Sequence, residues 1–324
     1  MLGRRSARLV AGFAAVGLMA AACGGSSGGS SGGGGGSIAA QPSLQGYTFK
    51  VGSKEFDEQL ILGQITIQAL QAAGAKTADK TNINGTTNTR NALTSGEIDM
   101  YWEYTGTGWI THLKHTTPIT SEQGQFDAVA KEDQSKNQIT WVSPFAPFNN
   151  TYAFASRADF ATQNNLKTNS DVAAYVKAHP DQAKFCLESE FASRDDGLAA
   201  FKKTYGVDIP AQNVKILDTG VVYTETQKGS TCNFGEVFAT DGRIASLKLT
   251  PFDDDKKAFP VYNPALTMKT SLFQKYPALQ QVFAPIAQKL TTEEMKAMNV
   301  KVSAEGAEPK TVAKDWLTQN GFIK

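Results

Sequence analysis

The chain has 324 residues, 41% of them hydrophobic and 19% charged, with a formal net charge of +1 and three cysteines. That length accommodates two domains with ordinary cores. A near-neutral balance, with no stripe of basic residues interleaved with aromatics, excludes a protein built to track a phosphate backbone, so no nucleic-acid partner is expected.

Arg4, Arg5 and Arg8 precede the apolar run Leu9 to Ala22, which is too short for a bilayer span and suits the apolar region of a secretory signal. Residues 1–22 therefore read as a signal peptide and the mature protein as exported. The run ends Ala20-Ala21-Ala22-Cys23, resembling a bacterial lipobox with alanine where leucine is usual. On that reading Cys23 becomes the lipid-bearing first residue; the alternative is plain secretion with cleavage after Ala-x-Ala. Residues 23–45 then form a Gly/Ser tether, since GGSSGGSSGGGGGS offers no side chain to bury. The expected location is the outer face of the cytoplasmic membrane, with the bilayer touched through lipid alone. If Cys23 is acylated, Cys186 and Cys232 remain as an even pair in an oxidising compartment, and a disulfide is expected, against the alternative of two buried thiols.

From Tyr47 onward short strand-like runs alternate with helical periods. YTFKVGS reads as the first strand. Phe56, Leu60, Ile61, Ile65 and Leu70 follow at helical spacing, ending near Gly74. TNIN, EIDMYW and ITWVSP read as strands, with TRNALTSG as a short helix between the first two. The stretch YWEYTGTGW, Tyr101 to Trp109, gathers four large rings and Glu103 beside Gly106 and Gly108. Such clusters are most often core, but glycines and the hydroxyls of Thr105 and Thr107 at a strand-to-helix junction mark a place where sites form in α/β folds. His112 and His115 have part of a metal-ligand spacing without a third donor, which favours a structural or surface role.

Beyond Pro147 the pattern restarts. TYAFAS, KFCLES, NVKILD and CNFGEVFA read as strands, separated by helical stretches at 171–178, 197–205 and 221–228. Asp253, Asp254 and Asp255 are followed at once by Lys256 and Lys257, so a solvated turn is favoured over a calcium loop. Thr291-Thr292-Glu293-Glu294 offers a capping-box start, and VAKDWLTQNG a last helix closing at Gly321. No Gly-x-Ser-x-Gly elbow occurs after Tyr47, and there is no cysteine–histidine pair outside the expected disulfide, so an enzyme is not expected. The pattern as a whole describes an α/β, two-lobed clamshell of the periplasmic-binding-protein type, type II-like, with hinge crossings near Pro147 and near LKLTPF. Residues 46–147 plus 252–324 form the expected first lobe and 148–251 the second.

Six strings, VGSKEFDEQLILGQ, SGEIDMYWEYTGT, NNTYAFASR, EFASRDDG, FATDGRI and FPVYNPA, together resemble the substrate-binding proteins of osmoprotectant ABC importers, the glycine betaine, carnitine and choline binding family. The resemblance runs in order over nearly all of the chain after Tyr47. It implies a small quaternary ammonium ligand, no cofactor, a partner permease with its ATPase, and a monomeric binding protein. A trimethylammonium group donates no hydrogen bond, so it is held by π faces; the carboxylate of a betaine needs cations and donors instead. By motif, the resemblance assigns the cage to Tyr104, Tyr152, Phe238 and Tyr262, the carboxylate grip to Lys54, Thr107 and Arg194, and nearby polarity to Asn150. Phe238 stands where relatives usually carry tyrosine, and Trp102 where proline often precedes EYTGT. Glycine betaine, proline betaine, carnitine, choline and ectoine-like solutes all stay open as ligands, as does a tethered sensor of the same fold for another small amine or zwitterion.

Overall fold

The computed structural model describes residues 36–324; the expected signal peptide, Cys23 and the first part of the Gly/Ser segment lie outside them. Five strands form one sheet: β1 (Thr48–Lys54), β2 (Lys76–Ile83), β3 (Met100–Tyr104), β4 (Ile139–Trp141) and the late strand β10 (Pro264–Lys269). Their order is β2-β1-β3-β10-β4, with β1 parallel to β2 and β3 and β10 antiparallel to β3 and β4. A second sheet has order β7-β6-β8-β5-β9 and is built from β5 (Tyr152–Arg157), β6 (Phe185–Leu187), β7 (Val214–Ile216), β8 (Phe234–Phe238) and β9 (Leu249–Pro251). The chain thus passes from the first sheet to the second after β4 and returns after β9, giving two α/β lobes.

Around the first sheet stand α1 (Asp57–Ala72), α2 (Thr86–Ser95), α3 (Thr105–Thr107, continued by a π turn to His112) and α4 (Glu122–Asn137). Around the second stand α5 (Ala158–Gln163), α6 (Asn169–Ala178), α7 (Ser189–Ser193), α8 (Leu198–Tyr205), α9 (Thr219–Lys228) and α10 (Arg243–Ser246). After the return come α11 (Thr270–Lys275), α12 (Ala278–Lys289), α13 (Thr292–Ser303) and α14 (Pro309–Gln319). The first lobe's core joins Phe49 and Val51 of β1 to Ile61, Leu62 and Ile65 of α1 and Trp316 of α14. The second packs Phe154 edge to face against Phe185, Phe191 and Phe201, and stacks Phe185 on Phe234. Each such pair contributes about 0.5–1.5 kcal/mol beyond its buried area. Cys186 in β6 and Cys232 just before β8 form the expected disulfide.

The two crossings run side by side. Asn150 donates its backbone N–H to Tyr262 O at 3.1 Å, Tyr262 returns its own to Asn149 Oδ1 at 2.7 Å, and the Asn263 amide reaches Phe148 O at 2.9 Å. This pairing brings FPVYN against EYTGT. A Cβ on Gly106 would lie 2.7 Å from Val261 O and 2.9 Å from the Tyr262 ring, and one on Gly108 would lie 2.6 Å from Trp141 and Val129. The glycines of YWEYTGTGW are there because the second crossing and α4 press directly on the turn.

Several expectations are adjusted by packing. β2 begins at Lys76, earlier than TNIN suggests, because it pairs with β1 from Thr48 onward. Thr291 caps α13, its side chain accepting from Glu294 N at 3.3 Å, but the Glu294 carboxylate accepts the Trp316 indole N–H at 2.8 Å, so the reciprocal half of a capping box is not formed. Trp102 is fully buried, its indole donating to Thr66 Oγ1 at 2.8 Å on α1, which explains a large ring at that position.

Candidate functional site

One cavity between the lobes is lined by all eight predicted ligand residues, Lys54, Tyr104, Thr107, Asn150, Tyr152, Arg194, Phe238 and Tyr262, together with Phe56, Thr86, Glu55, Glu188, Glu190 and Thr219. Lys54 ends β1 and Tyr104 ends β3, neighbouring parallel strands, so both project from the carboxyl edge of the first sheet, where α/β folds place their sites. On the opposite wall Tyr152 opens β5 directly across from Phe238, the last residue of β8. Tyr262 arrives from the second crossing and Asn150 from the first.

The rings form a continuous arc. Tyr262 meets Tyr152 edge to face with centroids 5.2 Å apart, Tyr152 lies 5.7 Å from Phe238, Phe238 lies 5.4 Å from Phe56, and Phe56 stacks on Tyr104 at 6.1 Å. Phe56 closes the gap between the walls. Its place in GSKEF beside Lys54 was the available signal, but helical spacing counts it with the buried face of α1. Burial pushes the phenols of Tyr104, Tyr152 and Tyr262 well above their ordinary range, so all three rings are neutral π faces at physiological pH.

Polar side chains fix the rings. The Tyr104 hydroxyl donates to Glu58 Oε1 at 2.7 Å, and that fully enclosed carboxylate also accepts from Asn150 Nδ2 and Asn299 Nδ2 at 2.9 Å and from the Thr240 hydroxyl. Burial raises the Glu58 carboxyl, and these four donors counter it. Asn150 therefore turns its amide to Glu58 and, through Oδ1, accepts from Thr240 N at 3.2 Å. The Tyr262 hydroxyl donates to Asp196 Oδ2 at 2.8 Å.

The three residues expected to grip a carboxylate are all present at the wall, and all already have protein partners. Lys54 Nζ donates to Glu103 Oε1 at 2.7 Å and lies 5.4 Å over the Tyr104 ring. Glu103 is buried outright, yet Lys54 and His112 draw its carboxyl well below the usual range; Tyr101 and His112 hold its other oxygen at 2.8 and 2.9 Å. His112 is thus a buried partner of this network, while His115 bonds Glu132 at 2.9 Å and stacks on Trp109. Arg194 donates to Asp196 at 2.8 and 2.6 Å, to Glu190 at 3.2 Å, and to Thr107 and Thr86 of the other lobe at 3.3 and 3.4 Å. Thr107 accordingly acts here as an acceptor.

The chain matches the substrate-binding domain of ABC-type glycine betaine transport systems over residues 48–319. It is 34% identical to the glycine betaine-binding protein YehZ of Escherichia coli over 280 residues, covering 85% of this chain and 91% of that protein. It is also 34% identical to a glycine-betaine-binding protein of Pseudomonas aeruginosa over 284 residues, covering 86% and 90%. The crystal structure of a glycine betaine/carnitine/choline ABC transporter superposes with a TM-score of 0.69 at 26% identity, over 85% of this chain and 100% of that one.

Proposed function

The chain belongs to the family of substrate-binding domains of ABC-type glycine betaine transport systems, and from that premise we propose that its aromatic arc is the cage for the quaternary ammonium head of the transported solute. Proteins of this family are extracytoplasmic solute-binding components that work with a permease; they are not enzymes. The observation that carries the proposal is the convergence of Tyr104, Phe56, Phe238, Tyr152 and Tyr262, from five separate segments, on one cavity.

Each ring face around a desolvated cation contributes about 0.5–2 kcal/mol without any proton to donate or accept. Glu58 supports the cage from behind: it orients the Tyr104 phenol and places a carboxylate one hydrogen bond from a wall. Phe238 supplies a face without a hydroxyl, which keeps the cation attraction and leaves no phenol to orient a neighbour. A ligand carboxylate, where present, would compete for Lys54 and Arg194 with the carboxylates they now hold, and for Thr107 with Arg194. Quaternary ammonium solutes are the ligands this arrangement suits. Tyr104→Ala should weaken their binding at least tenfold, about 1.4 kcal/mol, in isothermal titration calorimetry; an unchanged affinity in a folded variant counts against the cage.

The lipobox-like Ala20-Ala21-Ala22-Cys23 and the glycine-rich segment after it support, as part of the same proposal, a protein anchored through acylated Cys23 at the outer face of the cytoplasmic membrane. Among the described residues no helix is long and apolar enough to cross a membrane. Cys23→Ser should release the protein into the soluble fraction of the host.

A further inference from the structure

Glu190 belongs to none of the residues that motif comparison assigns to ligand, yet it joins the two lobes beside the cage. It stands in α7 on the second lobe, and its carboxylate reaches the start of α2 on the first, where Oε1 accepts the Thr86 N–H at 2.5 Å and Oε2 the Thr86 hydroxyl at 2.6 Å. Helix α2 has no cap of its own, because its N-cap residue is Gly85, with φ of 86° and no side chain. Unpaired amides and the helix dipole make that end a favourable seat for an anion, and a carboxylate from the opposite lobe fills it. The same carboxylate takes Nη1 of Arg194 at 3.2 Å. With Asp196, Thr86 and Thr107 occupying its other N–H groups, Arg194 has none to spare. Burial pushes the Glu190 carboxyl up, but the Lys54 ammonium, the Thr86 bonds and Arg194 outweigh it and hold it below its ordinary range, so it is ionised at neutral pH.

The guanidinium carbon of Arg194 lies 6.0 Å from the centroid of the Tyr152 ring. A solute with its cation in the cage and a carboxylate on its tail therefore brings that anion to the donors Glu190 already holds. We propose that Glu190 is a specificity-determining residue: a carboxylate of the protein standing in for that of the solute, so that the closed site favours quaternary amines with an uncharged, hydrogen-bond-donating tail over those carrying a carboxylate. This rests on the cage reading above and adds to it the class of tail the site selects. A carboxylate-bearing solute must either displace Glu190 from Thr86 and Arg194 or lie against it as a like charge. A hydroxyl tail meets an acceptor in the same place, and Glu188 and Glu55 line the wall beside it.

Calorimetric titration of the purified protein, Glu190→Gln and Glu190→Ala with choline, glycine betaine and tetramethylammonium tests this. The wild type should bind choline at least fivefold more tightly than glycine betaine, and both variants should move the betaine-to-choline affinity ratio tenfold or more toward betaine. The isosteric glutamine keeps an acceptor for Thr86, so its fold is retained even if alanine loosens the lobes. A ratio within twofold of wild type in the folded glutamine variant, or a wild type that prefers glycine betaine, overturns the proposal while tetramethylammonium binding leaves the cage standing. Absence of binding by tetramethylammonium, which has the cationic head and no tail, overturns the cage and this inference with it.

Discussion

At the residue scale the site depends on contacts with no slack. Gly106 faces the backbone of the second crossing, and since a Cβ there would fall 2.7 Å from Val261 O, Gly106→Ala must move that crossing and Tyr262 with it. The expected result is a folded protein whose affinity for quaternary amines drops at least fivefold; retention of full affinity by calorimetry would show that Tyr262 is no wall of the cage. Glu236 carries a second prediction. It sits in β8 two residues before Phe238, fully buried, with Oε1 unpartnered. Burial, with Glu188 and Asp241 adding to it, pushes its carboxyl from 4.5 to about 8, against the Glu188 backbone and Arg243, which pull it down. The folded state therefore keeps a proton that the unfolded chain releases above 4.5, so this group's contribution to stability is complete below that pH and is lost as pH rises through about 8. Glu236→Gln should flatten the fall in melting temperature between pH 5 and pH 8.5, a difference on the order of a few kcal/mol; parallel profiles for the two proteins would contradict a buried neutral acid. Tyr104, Tyr152, Phe238 and Tyr262 were legible in the sequence because each sits in a distinctive string. Phe56, Glu58 and Glu190 were not, because their roles depend on what the other lobe brings to them: Glu58 is read as one more polar residue at a helix start until Thr240, Asn150 and Asn299 are seen to converge on it.

At the element scale, what the sequence reveals follows from how each element is buried. β1, β5 and β8 are short, carry large apolar side chains such as Phe49, Val51, Phe154 and Val237, and are flanked by turns, so their pattern announces them. β10 opens on a proline and is buried along nearly its whole length, its Thr267 hydroxyl donating to Tyr101 O at 2.8 Å, so it has no alternation to read. Helix α4 is hidden for the opposite reason: EQGQFDAVAKEDQSKN buries Gln125 and Asp133 beside Phe126 and Val129, and Asp133 is held by Arg90 and the Trp141 indole. A polar residue inside such a helix is satisfied by partners more than 40 residues away in the chain for Arg90, which no local period records. The disulfide gives this scale its test. Cys186 and Cys232 are 46 residues apart and tie β6 to the entry of β8, neighbouring strands behind the Glu188 and Phe238 walls. The chain-entropy relation gives about 4 kcal/mol for a loop of this length. Cys186→Ser with Cys232→Ser should lower denaturant stability by that order and leave the first lobe's core intact; an unchanged midpoint would show that the bridge adds nothing to the second lobe.

At the scale of the whole molecule the question is how a solute reaches the proposed cage, whose lining residues come from both lobes. With the lobes meeting through Thr86–Glu190, Thr107–Arg194, Glu58–Thr240 and Asp57–Arg243, contacts bridge the cavity from both sides. Entry therefore needs the lobes to part about the paired crossings, where Asn150, Tyr262 and Asn149 hold the two strands of chain together. The bonds to be broken include the buried Glu58–Thr240 and Asn299–Thr240 contacts as well as those of Glu190 and Arg194, while the Asp57–Arg243 pair, at 3.4 Å and partly exposed, contributes little. A solute that contacts both walls only when they meet offsets that loss and shifts the balance by the difference in its affinity for the two states. Small-angle X-ray scattering should then give a larger radius of gyration without ligand than at saturating choline or glycine betaine. The same saturation should raise the melting temperature, since ligand at about 100 times its dissociation constant stabilises the native state by about 2.7 kcal/mol. A protein that binds in the calorimeter and melts later, yet scatters identically with and without solute, would require the cage to be reached through a route that leaves the lobes closed, and the arrangement of Glu190 across the cleft would then be a fixed wall rather than a contact remade at each capture.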